Sequence, residues 1–128
     1  MTNLLQAFND HFYSFVDDIQ LIYPDDVDIM SAKNSVVALR KINPKLVILV
    51  WNERIVSQYE DQIMKGDLDF FLNKDYSQDL ADNQNNKKIM DAINRLREPI
   101  KNMNPSNREK SIKYMQNLTK LCNLYFNK

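Results

Sequence analysis

The sequence predicts an all-α protein: a compact bundle of five or six helices in one domain covering residues 1–128. Three observations carry this. Apolar residues recur at steps of three and four through most of the chain, the spacing that lines one face of a 3.6-residue helix. Proline, asparagine and aspartate break the pattern where helices start and stop. The length of 128 residues suits a single domain with its own core.

In the first segment Leu4, Phe8, Phe12, Phe15, Ile19 and Ile22 form one stripe that runs until Pro24, with Thr2 the expected N-cap. The second follows Pro24-Asp25-Asp26, where a capping aspartate and an acidic first turn favour a helix start. Its apolar face holds Ile29, Ala32, Val36 and Leu39. Asn43-Pro44 closes that helix and opens the next, because proline suits a first helical turn and restricts the residue before it.

The third segment is ambiguous at first sight. "KLVILVW" taken by itself suits a buried strand. It runs on without a breaker into "NERIVSQYEDQIMK", where Ile48, Trp51, Ile55, Tyr59 and Ile63 keep the helical step. The reading is one helix from about Lys45 to Lys65, buried in its first half.

In "KGDLDFFLNKDY" the chain's single glycine follows Lys65, a cation placed to complement a helix C-terminus. Gly66 fits the left-handed position that ends a helix. Asp67 then starts a short helix that also carries Asp69, Leu68, Phe71 and Leu72. Two adjacent aromatics on a short helix do not both face inward comfortably. Phe70 and Phe71, with Tyr76, are therefore the candidate interaction residues.

"YSQDLADNQNN" reads as a surface loop or linker. Ile89, Ile93, Leu96, Ile100 and Met103 resume the helical stripe, with Pro99 inside it, so the helix should kink or be remade there. "NPSNREKS" restarts the chain, with Ser106 and Glu109 spaced as a capping box. The last helix presents Ile112, Met115, Leu118, Cys122 and Tyr125.

Charge divides the chain although its sum is zero. Residues 1–82 carry seven basic and fourteen acidic side chains; residues 83–128 carry ten basic and three acidic. An acidic body thus precedes a basic C-terminal helix pair, which suits head-to-tail association or docking on a charged partner. Lys87, Lys88, Arg95, Arg97, Lys101, Arg108, Lys110 and Lys113 are the candidate nucleic-acid contacts, able to follow a phosphate backbone electrostatically. No helix-turn-helix turn, RNP motif or zinc finger accompanies them.

Chemistry finds little footing. His11 and Cys122 are the only histidine and cysteine, and Cys122 falls on an apolar stripe, the place of a buried structural thiol. Structural zinc lacks its ligands. One glycine supplies neither a P-loop nor a dinucleotide fingerprint. Asp17-Asp18, Asp25-Asp26 and Glu60-Asp61 point about 100° apart on a helix, as solvated faces and caps do. An EF-hand register fails from Asp67, where Leu72 takes the glycine position, and from Asp75, where Leu80 does. No catalytic residue, metal or cofactor is expected.

A lone cysteine, no signal-peptide pattern and no apolar run beyond Leu46 to Trp51 lead to the expectation of a protein neither secreted nor inserted in a membrane. Three stretches add a resemblance: "FNDHFYSFVDDIQLIYPDD", "NPKLVILVWNERIVSQYEDQIMKGDLDFFLNKDY" and "LREPIKNMNPSNREKSIKYMQNLTKL". In this order they resemble small helical proteins of nucleocytoplasmic large DNA viruses, a group without an established activity. The resemblance spans most of the chain and transfers no functional residue. It implies a setting, the host cytoplasm or the virion, where small helical proteins serve as structural components. The expected function is thus a non-enzymatic structural or interaction protein, with self-association or a protein partner. The alternative is an accessory nucleic-acid-binding protein.

Overall fold

The computed structural model describes residues 3–68 and 84–127. Phe70, Phe71, Tyr76 and the short helix expected after Asp67 lie outside them. The described residues form helices only: α1 (Leu4–Ile22), α2 (Val27–Ile42), α3 (Leu46–Val50), a π-helical segment (Trp51–Val56), α4 (Ser57–Met64), α5 (Gln84–Arg95), α6 (Arg97–Lys101) and α7 (Pro105–Tyr125). No strand occurs among them, so "KLVILVW" is helical.

Most of each expected stripe becomes the core, although Ile22 is exposed and Leu4, Tyr59, Ile112 and Tyr125 are only half-buried. Phe8, Phe12, Phe15 and Ile19 of α1 are buried, as are Ile29, Ala32, Val36 and Leu39 of α2 and Met115, Leu118 and Cys122 of α7. Trp51 sits at the centre, edge-on to Phe12 with ring centroids 6.0 Å apart. Its indole N–H donates to Thr119 Oγ1 at 3.3 Å, and Thr119 donates to the Met115 carbonyl at 2.9 Å. A buried N–H would otherwise cost on the order of 1–3 kcal/mol.

Helix ends follow local chemistry. The cap of α1 is Asn3 rather than Thr2: its Oδ1 accepts from the Gln6 N–H at 3.0 Å. Asp26 caps α2 as expected, accepting from the amides of Asp28 and Ile29. Asn43 ends α2, and its side chain accepts from the Lys45 N–H, so Pro44 lies in the turn rather than inside α3. Gly66 takes φ 80° and completes a Schellman motif: its N–H donates to Ile63 O at 3.0 Å and that of Asp67 to Gln62 O at 2.8 Å.

Further expectations need correction. The loop expected over 76–86 lies outside the described residues up to 83, and its last three residues open α5. The helix from Lys45 to Lys65 is continuous but not uniform. Its middle widens into the π-segment, where the Ser57 N–H reaches back to Asn52 O, and Tyr59 (φ −132°, ψ 15°) kinks it. Its first half is not buried all round either, because Leu49 is 38% exposed. At the last restart Asn104 rather than Ser106 is the cap: Pro105 takes the first helical position, so the residue before it must cap, and Asn104 Oδ1 accepts from the Asn107 N–H at 2.8 Å. At Pro99 the helix is remade, as expected. α5 ends at Arg95, and Pro99 falls in the first turn of α6, where a missing N–H costs nothing.

Candidate interaction surfaces

Among the expected catalytic remnants, nothing converges. Cys122 is fully buried, its sulfur 3.9 Å from Ile48 O and 3.8 Å from Asn52 Oδ1. His11 packs on Tyr114, ring centroids 4.9 Å apart. Tyr114 and Cys122 stand eight residues apart on α7, about 12 Å of axial rise. Burial holds the His11 imidazole below its ordinary pKa, and the Tyr114 backbone offsets part of this. The carboxylate pairs diverge: Asp17 takes Lys33 at 2.7 Å, Asp18 accepts the Tyr114 hydroxyl, and Glu60 accepts from Asn123 at 2.9 Å. Burial first, then that bond to Asp18, pushes the Tyr114 phenol up to about 12. Among the described residues no three His, Cys, Asp or Glu side chains gather as metal ligands.

The basic third is partly spent on the protein itself. Arg95 bridges Asp28 at 2.8 Å and Asp91 at 3.0 Å, tying the basic helices to the acidic body. Arg108 donates to the Lys101 carbonyl, and Arg97 is half-buried. Lys87 and Lys88 are exposed at the start of α5, more than two turns from Lys101. Lys110 and Lys113 lie on the solvent stripe of α7, which continues through Asn117 and Lys120 to Leu124. The structure therefore brings together Lys110, Lys113 and Lys120, and not all eight expected contacts.

A feature absent from the sequence reading is where exposed apolar side chains gather. Leu21, Ile22, Val27 and Met30 surround the α1–α2 turn, with Leu21 72% and Val27 75% exposed. Ile42, Leu49 and Leu124 are exposed at the opposite end. The helix directions define these ends. Asn107 and Lys110 line a crease with Asp18 and Ile22, whereas Thr119 bonds to Trp51, which sits edge-on to Phe12. α7 thus runs antiparallel to α1 and ends far from the α1–α2 turn. Asn9 near the start of α1 donates to the Pro44 carbonyl at 2.9 Å, placing the end of α2 and the start of α3 at that far end too. Exposed charges differ between the two. Asp18 and Asp25 flank the turn, with Lys110 across the crease from Asp18; Lys45 and Lys120 flank the far end. The signal in the sequence was that Leu21, Val27, Met30 and Ile42 fall off every helical stripe.

Between α1 and α2 a groove of about 630 Å³ opens, lined by Asn9, Asp10, Tyr13 and Ser14 of α1, Val36, Val37, Arg40 and Lys41 of α2, and Pro44. It lies in a seam bridged by two ion pairs, Asp10 with Arg40 at 2.8 Å and Asp17 with Lys33 at 2.7 Å. Lys33 also stands 5.1 Å from the centre of the Tyr13 ring.

No family model matches this chain, and no curated protein or solved structure matches it either. No described helix is long and apolar enough to cross a membrane.

Proposed function

We propose that the protein is a non-enzymatic assembly protein whose copies associate head to tail, the α1–α2 turn of one seated on the far end of the next. The observation that carries this reading is the placement of exposed apolar side chains at both ends of the bundle. Each end combines solvent-facing aliphatic groups with charge: Leu21, Ile22 and Val27 beside Asp25 and Asp18, the latter with Lys110 across the crease, and Ile42, Leu49 and Leu124 beside Lys45 and Lys120. Apolar area supplies the affinity and opposite charge sets the register. Such a contact uses different surfaces on the two copies, so it builds rings or open filaments. In the setting implied by the resemblance to large DNA virus proteins, this is the work of a minor virion or capsid-associated component.

Sedimentation of the natural chain at rising concentration and low salt tests the reading. The expected result is a series of oligomers that shrink as salt is added. Leu21→Asp with Val27→Asp should return monomers with unchanged helical content. A natural chain that stays monomeric at every concentration overturns the reading.

A second reading, nucleic-acid binding, draws on the solvent stripe of α7. Lys110, Lys113 and Lys120 recur there at helical spacing without an ion pair among the described residues. Affinity for DNA or RNA should then fall steeply with salt, and Lys110→Glu with Lys113→Glu should abolish it. Binding that is absent at low salt removes this reading.

A further inference from the structure

We propose that the groove between α1 and α2 is a binding site for a small amphipathic anion: an aromatic or short aliphatic body bearing one acidic group. This inference does not rest on the assembly reading: it is argued from the groove's own lining, although the Asn9–Pro44 end of the groove reaches the far end of the bundle.

The groove follows from the residue sizes along the seam. Ser14 of α1 and Val36 and Val37 of α2 line the opening, side chains too short to fill the space between two helix axes. The Asp17–Lys33 pair bridges the seam toward the turn, and the opening runs from Ser14 past the Asp10–Arg40 pair to Asn9, Lys41 and Pro44. Its volume is about 630 Å³, within the ~300–1,000 Å³ typical of ligand sites. Its floor is apolar, since Val36 is 5% exposed and Tyr13 offers a ring.

The charge at the rim selects the ligand. Among the described residues Arg40 donates one bond, from Nη2 to Asp10 Oδ1, and the rest of its planar donor fork has no partner there. Lys41, the next residue, lines the same opening and is exposed. Asp10 neutralises one of these two cations, so a single positive charge remains over an apolar floor. A neutral apolar ligand leaves that charge unused, and a cation meets repulsion. An anion with a flat or short apolar body satisfies both halves of the site. Asp10 holds Arg40 in place beforehand, which lowers the ordering cost of binding. The Ser14 hydroxyl, also on the lining, supplies a further polar contact.

The test uses the full chain and two probes of similar shape, anilinonaphthalene sulfonate and the neutral phenylnaphthylamine. Fluorescence titration reads affinity, and amide chemical shifts read location. The expected result is saturable binding of the sulfonate, with shifts centred on Ser14, Val36 and Val37 and a markedly weaker neutral probe. Arg40→Gln should weaken the sulfonate about tenfold, the loss expected for a hydrogen bond to a charged group. Lys41→Gln, at an exposed site where folding is not at stake, should weaken it as well. Val37→Phe, which fills the opening, should abolish binding. Equal affinity for the two probes, indifference to all three variants, or shifts centred on Leu21 and Val27 instead would each overturn the proposal.

Discussion

Tyr114 and His11 illustrate how two side chains can set the pH limits of a small helical protein. Burial lowers the His11 pKa below its ordinary 6.5, so the unfolded chain takes up a proton before the folded one does. Stability attributable to His11 is complete above about pH 6.5 and declines as pH falls toward the folded-state pKa. Tyr114 works from the other side. Its phenol is pushed from 10.0 up to about 12, so the unfolded chain loses that proton first. Its contribution is complete below pH 10.0 and is lost as pH rises to about 12. Thermal melts across pH should therefore show an acid decline that flattens in His11→Gln and an alkaline decline that flattens in Tyr114→Phe. Tyr114→Phe should also cost about 0.5–1.5 kcal/mol near neutrality, through its lost bond to Asp18. Unchanged pH profiles in both variants would show that neither group titrates with folding.

At the scale of the element, helix termini give the cleanest predictions. Asn104→Ala should destabilise by about 1 kcal/mol in urea melts, the usual cost of losing an N-cap, because the Asn107 N–H loses its acceptor. Ser106→Ala should stay within about 0.5 kcal/mol, as surface substitutions do. A larger effect at Ser106 than at Asn104 would contradict the cap assignment. At Gly66 an added Cβ would meet only Ile112 Cγ2, at 3.8 Å, so space is not the obstacle. The cost of Gly66→Ala is the left-handed backbone, about 1–2 kcal/mol, and Gly66→Asn should recover part of it. The Gly66 stop was legible from sequence because no other residue type near it adopts φ 80° readily. The Asn104 cap was legible but misassigned: Pro105 suits the first helical position and so marks Asn104, whereas the Ser106–Glu109 spacing placed the cap two residues late. The five apolar stripes were legible because burial follows the helical period. The π-segment was invisible for a related reason: Ile48, Trp51, Ile55, Tyr59 and Ile63 step by three, four, four and four across Trp51–Val56, a spacing an ordinary helix also gives. The α1–α2 groove escaped as well, because a gap between facing helices depends on partner side chains that no single stripe reveals.

At the scale of the whole molecule, the proposed assembly turns on whether the two apolar ends pair with each other or each with its own copy. The distinction follows from symmetry. In a two-fold contact one end pairs with its own copy, so a lesion at the α1–α2 turn leaves dimers formed through the far end. In a head-to-tail contact every interface needs one turn and one far end, so either lesion stops growth at the monomer. Leu21→Asp with Val27→Asp disables the turn; Ile42→Asp with Leu124→Asp disables the far end. All four positions are solvent-exposed, from 61% to 75%, so the fold has little to lose from these changes. Each variant by itself should sediment as a monomer. Mixed, they should form a dimer and nothing larger, because one intact turn meets one intact far end and each assembly then terminates. The dimer should weaken with salt, since the proposed contact would bring Asp25 toward Lys45 or Lys120, and exposed charge pairs are screened beyond about 10 Å at 0.1 M. Reversing charge at the surviving ends, with Asp25→Lys against Lys120→Asp, should restore the salt-sensitive dimer that either reversal weakens. Mixtures that remain monomeric would rule out head-to-tail assembly, and dimers formed by one variant without the other would replace it with a two-fold contact.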